Sequence, residues 1–291
     1  MHRLRKTYAV AVTRLLLVSV LCCLLAVTVS CRKQMDPQSQ PILVLYAFNY
    51  EGELIRNQMS VDTTETLLNR AVSVGTVGGK NIVLAELGIG MTNAAMTTQK
   101  MLDYYRPKAV VLTGIAGAID SSVHIGDITV CGEWVQHDYG YIGPTGFEPR
   151  GLPVWMPGED SVRRIDRFEV DSVMLASALK LSHEELPVAS IGDRKPRLLV
   201  GGVGVTGNVF VDSREKRLWL SNHFSAVVTD MESAAVAQVC AVNEVPYIIF
   251  RSASDLAGGS GSATAAVEIE EFFKVAADNS SSVVLKFLEK L

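Results

Sequence analysis

From residue 42 onward the chain alternates short apolar runs with longer amphipathic stretches. Residues 42–48, 81–87, 109–113, 226–228 and 245–250 are rich in Val, Ile, Leu and Ala, and most positions are apolar. Runs of that kind and length predict strands buried on both faces. Residues 197–205 predict a further strand, and Ile125-Gly126-Asp127-Ile128 opens another. Helical spacing marks a segment around Leu54 and Ile55, an Ala-rich one after Gly90, and residues 170–181, 213–222, 231–242 and 265–288. Strands alternating with helices predict an α/β fold, a three-layer α/β/α sandwich around a mixed, mostly parallel central sheet. Residues 134–157 break the pattern with Gly, Pro and aromatics, which predicts a long loop of the kind that often carries function. Residues 184–196 read as a surface connection, and residues 258–262, Gly-Gly-Ser-Gly-Ser, as a flexible loop able to act as a lid.

The start of the chain follows a different rule. Arg3, Arg5, Lys6 and Arg14 precede an apolar run over residues 15–29, shorter than the ~20 residues that span a bilayer. Basic flank and short apolar run predict a secretory signal over residues 1–30. The run ends in Thr28-Val29-Ser30-Cys31, similar to a bacterial lipoprotein processing site, with Thr28 where Leu is usual. Cys31 is therefore the candidate lipidation site. Residues 31–40 read as a polar tether and residues 41–291 as one α/β domain. An uncleaved N-terminal anchor helix is the other reading; both tie the protein to a membrane, with the domain periplasmic or otherwise extracytoplasmic.

Composition narrows the function classes. A formal net charge of −4 offers no bulk attraction to nucleic acid. Of the five cysteines only Cys131 and Cys240 fall in the domain, both in apolar surroundings that suit buried free thiols. His137-Asp138 has no third ligand at metal-binding spacing and reads as a loop histidine with its hydrogen bonds met.

The chemistry gathers where strands end. Glu232 follows the strand at 226–228 and Asp255 the strand at 245–250. In open α/β sheets the ligand crevice lies at the carboxyl ends of strands. Each carboxylate alone is explained by a helix first turn or a polar turn; together they favour a site. Asp230-Met231-Glu232-Ser233-Ala234, followed by Arg251-Ser252-Ala253-Ser254-Asp255, resembles the nucleoside phosphorylase superfamily, most of all its methylthioadenosine/S-adenosylhomocysteine nucleosidases. Gly88-Ile89-Gly90 and Gly114-Ile115-Ala116-Gly117 resemble that family's glycine turns, and the likeness runs from residue 42 to the C-terminus.

The resemblance implies hydrolysis of the N-glycosidic bond of 5′-methylthioadenosine, S-adenosylhomocysteine or a related adenine nucleoside. No metal or organic cofactor is implied. It makes Asp255 the acid that protonates the purine, which needs its proton held near neutral pH by the apolar strand and by Ser252 or Ser254. Glu51 becomes the base on water, with Glu53 as its alternative. Glu232 binds the ribose hydroxyls and Met231 packs on the sugar. Phe210 stacks on the base and the Val211 backbone bonds its edge. Ile115 and Gly117 lie beside ribose and base, with Ile115 where many relatives have Ser. Phe147 and Pro153, with Tyr141, line a 5′ pocket offered to a neighbouring subunit, implying a homodimer. The alternatives are a purine or uridine nucleoside phosphorylase, with Arg56 or Arg70 holding phosphate, and a nucleoside-binding lipoprotein without turnover.

Overall fold

β1 (Ile42–Tyr46) buries all five of its residues, and the direction of each side chain sets the layers. Leu43 and Leu45 pack into one apolar cluster, while Ile42, Val44 and Tyr46 pack into another. That period of two is the pleat of a strand covered on both faces. The computed structural model describes residues 40–291, a compact unit from Gln40 to Leu291. The expected signal, the expected tether up to residue 39 and the candidate lipidation site Cys31 lie outside the described residues. Among the described residues no helix is long and apolar enough to cross a membrane.

After β1 come α1 (Asn49–Gln58), β2 (Ser60–Leu67), β3 (Arg70–Val77), β4 (Lys80–Glu86), α2 (Met91–Tyr105) and β5 (Ala109–Ala118). Next are β6 (Ile128–Val130), β7 (Glu133–Gln136), β8 (Gly140–Gly143), β9 (Gly146–Pro149), β10 (Leu152–Val154), β11 (Arg163–Ile165) and β12 (Phe168–Glu169). α3 (Ser172–Leu181), β13 (Leu198–Val200), β14 (Val203–Thr206), α4 (Arg214–Phe224) and β15 (Ala226–Asp230) follow. The chain closes with α5 (Ser233–Val242), β16 (Tyr247–Leu256) and α6 (Ala265–Leu288).

The central sheet is mixed. β4, β1, β5 and β16 run parallel at its heart, and β7, β14 and β15 form a second parallel group. α2 and α5 cover one face through Met101, Leu102, Val236 and Cys240. α1, α3 and α6 cover the other through Ile55, Met174, Leu181, Val284 and Phe287. α4 closes a smaller cluster at the β14–β15 end with Leu220 and Phe224. Each Leu, Ile or Val fully buried here stabilises the fold by roughly 1.5–3 kcal/mol. Cys131 and Cys240 are both buried and free.

β5 is where the sheet divides. Its residues Ala109–Leu112 pair with β1, while Gly117 and Ala118 pair antiparallel with β15. Between those pairings the edge at residues 113–116 has neither strand, and backbone donors there face a gap. The expected short strand at 109–113 with a glycine turn after it is thus one strand through Ala118. β16 likewise runs on to Leu256, so Asp255 lies within a strand rather than in a turn. The loop expected at 134–157 is mostly paired: β7 joins β14, and β8–β9 and β10–β11 form separate hairpins. Those strands are only three or four residues long, too short for their alternation to stand out against Gly and Pro. The hairpin β2–β3, whose β2 is mostly exposed, carries no apolar run by which to recognise it.

Candidate active site

Glu51 stands at the gap in β5. It sits in the first turn of α1, where Oε2 accepts the Ala47 amide at 2.6 Å and the Phe48 amide at 3.4 Å. Phe48 has no side-chain oxygen to cap the helix, so Glu51 does that work. Its other oxygen, Oε1, accepts the Ile115 amide at 2.8 Å, a donor left over where the sheet divides. Glu51 is 1% exposed. Burial raises its pKa above the usual carboxylate range, while Arg251 and the three amides pull it back. Ser281 of α6 donates to the Glu51 carbonyl at 2.7 Å and fixes the turn beneath it.

Arg251 is fully buried on β16 and faces three carboxylates. Its Nη2 lies 2.6 Å from Asp230 and 3.2 Å from Glu232, and its Nη1 lies 3.7 Å from Glu51. Thr206 and Ser233 hydroxyls donate to Asp230, and Arg251 Nε donates to Ser233 Oγ at 3.1 Å. One cation among three carboxylates leaves an excess of negative charge. Glu232 is accordingly pushed up to about 7, first by burial and then by Asp230, against the pull of Arg251 and the Gly90 amide. That amide, at the start of α2, donates to Glu232 Oε1 at 2.8 Å. Gly114 has no side chain for a spatial reason: a Cβ there would meet Arg251 Nη1 at 2.2 Å and Glu51 Oε1 at 2.4 Å.

Asp255 lines the same cavity as Glu51 and Glu232. Its Oδ2 accepts Ser254 Oγ at 2.8 Å, and its Oδ1 is buried with no hydrogen-bond partner. Burial is the main cause that raises its pKa to about 7, and nearby Glu268 and Asp212 add to it. The expectation about serines is corrected here. Ser252 donates elsewhere, to the Gly126 carbonyl, and the Ser254 bond favours the charged form. A Cβ at Gly117 would come within 2.9 Å of Asp255 Oδ1, so glycine keeps the space in front of that oxygen open.

The cavity has a volume of about 200 Å³. Four carboxylates line it, Glu51, Asp230, Glu232 and Asp255, together with Phe48, Ile89, Ile115, Phe210, Met231 and Ile269; no Lys or Arg does. Carboxylates and a proton-bearing acid on one cavity can together stabilise a sugar cation and protonate a leaving group.

Residues 41–289 match the Phosphorylase superfamily. The chain belongs to that superfamily. It is 30% identical over 251 residues to the 5′-methylthioadenosine/S-adenosylhomocysteine nucleosidase of Bacillus thuringiensis (strain Al Hakam), covering 86% of this chain and 99% of the relative. Among solved structures it is similar to the Neisseria meningitidis 5′-methylthioadenosine/S-adenosylhomocysteine nucleosidase in complex with methylthio-immucillin-A. The TM-score is 0.71 at 26% identity, over 87% of this chain and 100% of that one. The futalosine hydrolase of Helicobacter pylori strain 26695 is similar too, with TM-score 0.71 and 25% identity over 88% of this chain and 100% of that one.

Within this superfamily chain the fold gathers Glu51, Glu232, Asp255, Met231, Phe210, Ile115 and Gly117 around one cavity. Phe210 is 48% exposed at its rim. Val211 points away, buried with Val205 and Leu220. Phe147 and Pro153 do not line the cavity. Phe147 packs on Trp219 with ring centroids 6.1 Å apart, and Pro153 pairs with Arg164 across β10–β11. Tyr141 lies under Arg150, 4.8 Å from the ring centroid. Glu53 is exposed on the far side of α1 from Glu51. His137 is not the satisfied histidine expected. It is fully buried, neither ring nitrogen has a hydrogen-bond partner, and burial lowers its pKa to about 4. Arg56 and Arg70 do not line the cavity, and Arg70 donates to Thr97. Sequence reasoning gave no role to Asp230, Arg251 or Ile269. The available signal was Arg251 itself, a guanidinium inside an apolar strand, which requires buried carboxylates as partners.

Proposed function

We propose that this chain hydrolyses the N-glycosidic bond of 5′-methylthioadenosine, S-adenosylhomocysteine or a related adenine nucleoside, and releases adenine. The observation that carries this reading is the cavity lining: four carboxyl groups and no Lys or Arg. With no cation on the lining to hold phosphate, the cavity suits water as nucleophile. Asp255, holding its proton near neutral pH, protonates the purine's imidazole nitrogen as the bond breaks. Glu51 takes a proton from water, with Arg251 Nη1, which has no hydrogen-bond partner, 3.7 Å from its Oε1. Glu232 accepts the ribose 2′- and 3′-hydroxyls and opposes the charge that builds on the sugar. Met231 packs on the sugar, Phe210 stacks on the base, and the Val211 backbone meets the base edge. Phe147 and Pro153, outside their own cavity, serve the 5′ end of the site in a second copy, so the working unit of this proposal is a homodimer.

The test is product analysis with 5′-methylthioadenosine, with and without phosphate. Adenine with free methylthioribose in both conditions supports the reading. A phosphate-dependent sugar 1-phosphate makes the chain a phosphorylase, and tight binding without base release makes it a binding protein. We further propose that Cys31 is lipidated and tethers the domain to a bacterial membrane. Fatty-acid labelling that survives Cys31→Ser would overturn that anchor.

A further inference from the structure

Glu268 plays no part in the reading above, yet it is a buried carboxylate, 4% exposed, early in α6. Its Oε2 accepts the Leu256 amide and its Oε1 the Ser260 amide, both at 2.8 Å. Leu256 directly follows Asp255, so the first bond ends on the peptide beside the acid. The second folds the glycine-rich segment 258–261 back onto the helix. The same helix start is tied to the base-side turn: Asp212, two residues after Phe210, accepts the Ala265 amide at 2.9 Å. Next to Glu268, Ile269 enters the cavity wall. The ordinary reason for an acidic residue at a helix start is the macrodipole. An exposed side chain would meet that need, so the dipole does not explain burial with both oxygens committed to the strand end and the loop.

We propose that Glu268 is a positioning residue for the general acid: through the Leu256 and Ser260 amides it pins the strand end that carries Asp255. Its charge beside that strand end also favours the protonated acid. The inference rests on Asp255 acting as that acid. The groups facing Asp255 are Glu268 from α6, Asp212 from the turn before α4, Arg217 from α4 and Ser254 on its own strand. After burial, which dominates, Glu268 and Asp212 favour the protonated form, and Ser254 and Arg217 oppose it. Arg217 donates to the Ile119 carbonyl at 2.8 Å and also feels the Glu268 charge, which it offsets in part.

The experiment is the pH dependence of kcat/KM for the full chain on two substrates, 5′-methylthioadenosine and a nitrophenyl riboside whose leaving group departs without a proton. Wild type should show an alkaline limb with the nucleoside that is absent with the nitrophenyl riboside. In Glu268→Gln that limb should move down by about half a unit to one unit, a ~3- to 10-fold loss above it, while the nitrophenyl riboside reacts at the wild-type rate. Glu268→Asp keeps the charge but loses reach. Its limb should stay in place while its plateau falls at least ~3-fold for the nucleoside alone. It carries the test by itself if the glutamine variant does not fold. An unmoved limb in Glu268→Gln, or equal losses on both substrates in either variant, overturns the inference. A wild type with no alkaline limb overturns the assignment of Asp255 first, and this inference with it.

Discussion

Asp127 and Asp255 are equally hidden, 0% and 1% exposed, and they differ in what faces them. Asp127 accepts the Arg197 amide at 2.8 Å and the His124 amide at 3.1 Å, and the Arg194 guanidinium bonds both its oxygens. Asp255 receives one serine hydroxyl and keeps an oxygen free at the cavity. A carboxylate saturated by donors has no lone pair left for a ligand and ties chain segments together. One that is dry and under-satisfied holds its proton to about pH 7 and has somewhere to deliver it. For these two aspartates burial does not tell them apart; what differs is the oxygen that Asp255 leaves free at the cavity.

The sharpest way to break that comparison is Asp255→Asn. The amide keeps the shape but has no acidic proton, so kcat should fall ~10²- to 10⁴-fold with substrate affinity near wild type and a Tm at neutral pH no lower than wild type. A nitrophenyl riboside should partly rescue Asp255→Asn and should not rescue Glu51→Gln, in which water is no longer deprotonated. The reverse rescue pattern would show the two roles exchanged.

The converse change is Asp127→Asn. It strips the partner from Arg194, whose side chain is 32% exposed and so in part screened by water. The expected cost is about 2–4 kcal/mol of stability, a Tm lower by roughly 5–15 °C. Turnover measured well below that Tm should stay within ~3-fold of wild type. A folded Asp127→Asn protein without activity would remove the distinction.

Stability against pH sharpens the contrast further. The folded pKa of Asp255 is about 7 against 3.8 for the free group, so the fold favours its protonated form. That contribution is complete below about pH 4 and is lost as pH rises through about 7, on the order of 4 kcal/mol in all. Glu232, raised to about 7 by burial, acts in the same direction. Urea unfolding at pH 5 and pH 8 should show wild type losing stability across that interval and Asp255→Asn losing less. Equal slopes would mean that Asp255 is ionised throughout.

The smallest effect expected is at the rim. Phe210→Ala should weaken binding of an adenosine analogue by roughly 1–3 kcal/mol, read by calorimetry, with no change in Tm. Unchanged affinity would take Phe210 out of the base site.

The sequence by itself determined the layers and the strand-end carboxylates. Apolar runs such as residues 42–48 and 245–250 bury both faces, and that demand is written into consecutive residues, so local pattern reveals it. Glu232 and Asp255 were legible for the same reason, since a carboxylate next to such a run either caps a helix or faces a crevice; Glu51 was legible only through the family resemblance. What only the tertiary structure decided is how charge is shared among residues far apart in the chain. Arg251 meets Glu51, Asp230 and Glu232 because β16, α1 and β15 converge where β5 exchanges one neighbour for another. Phe147 and Pro153 moved off the cavity because short strands paired into hairpins that no periodicity announced. Hydrophobic burial acts along a segment and leaves a local trace. Electrostatic compensation acts through space between segments, and the fold alone sets those distances.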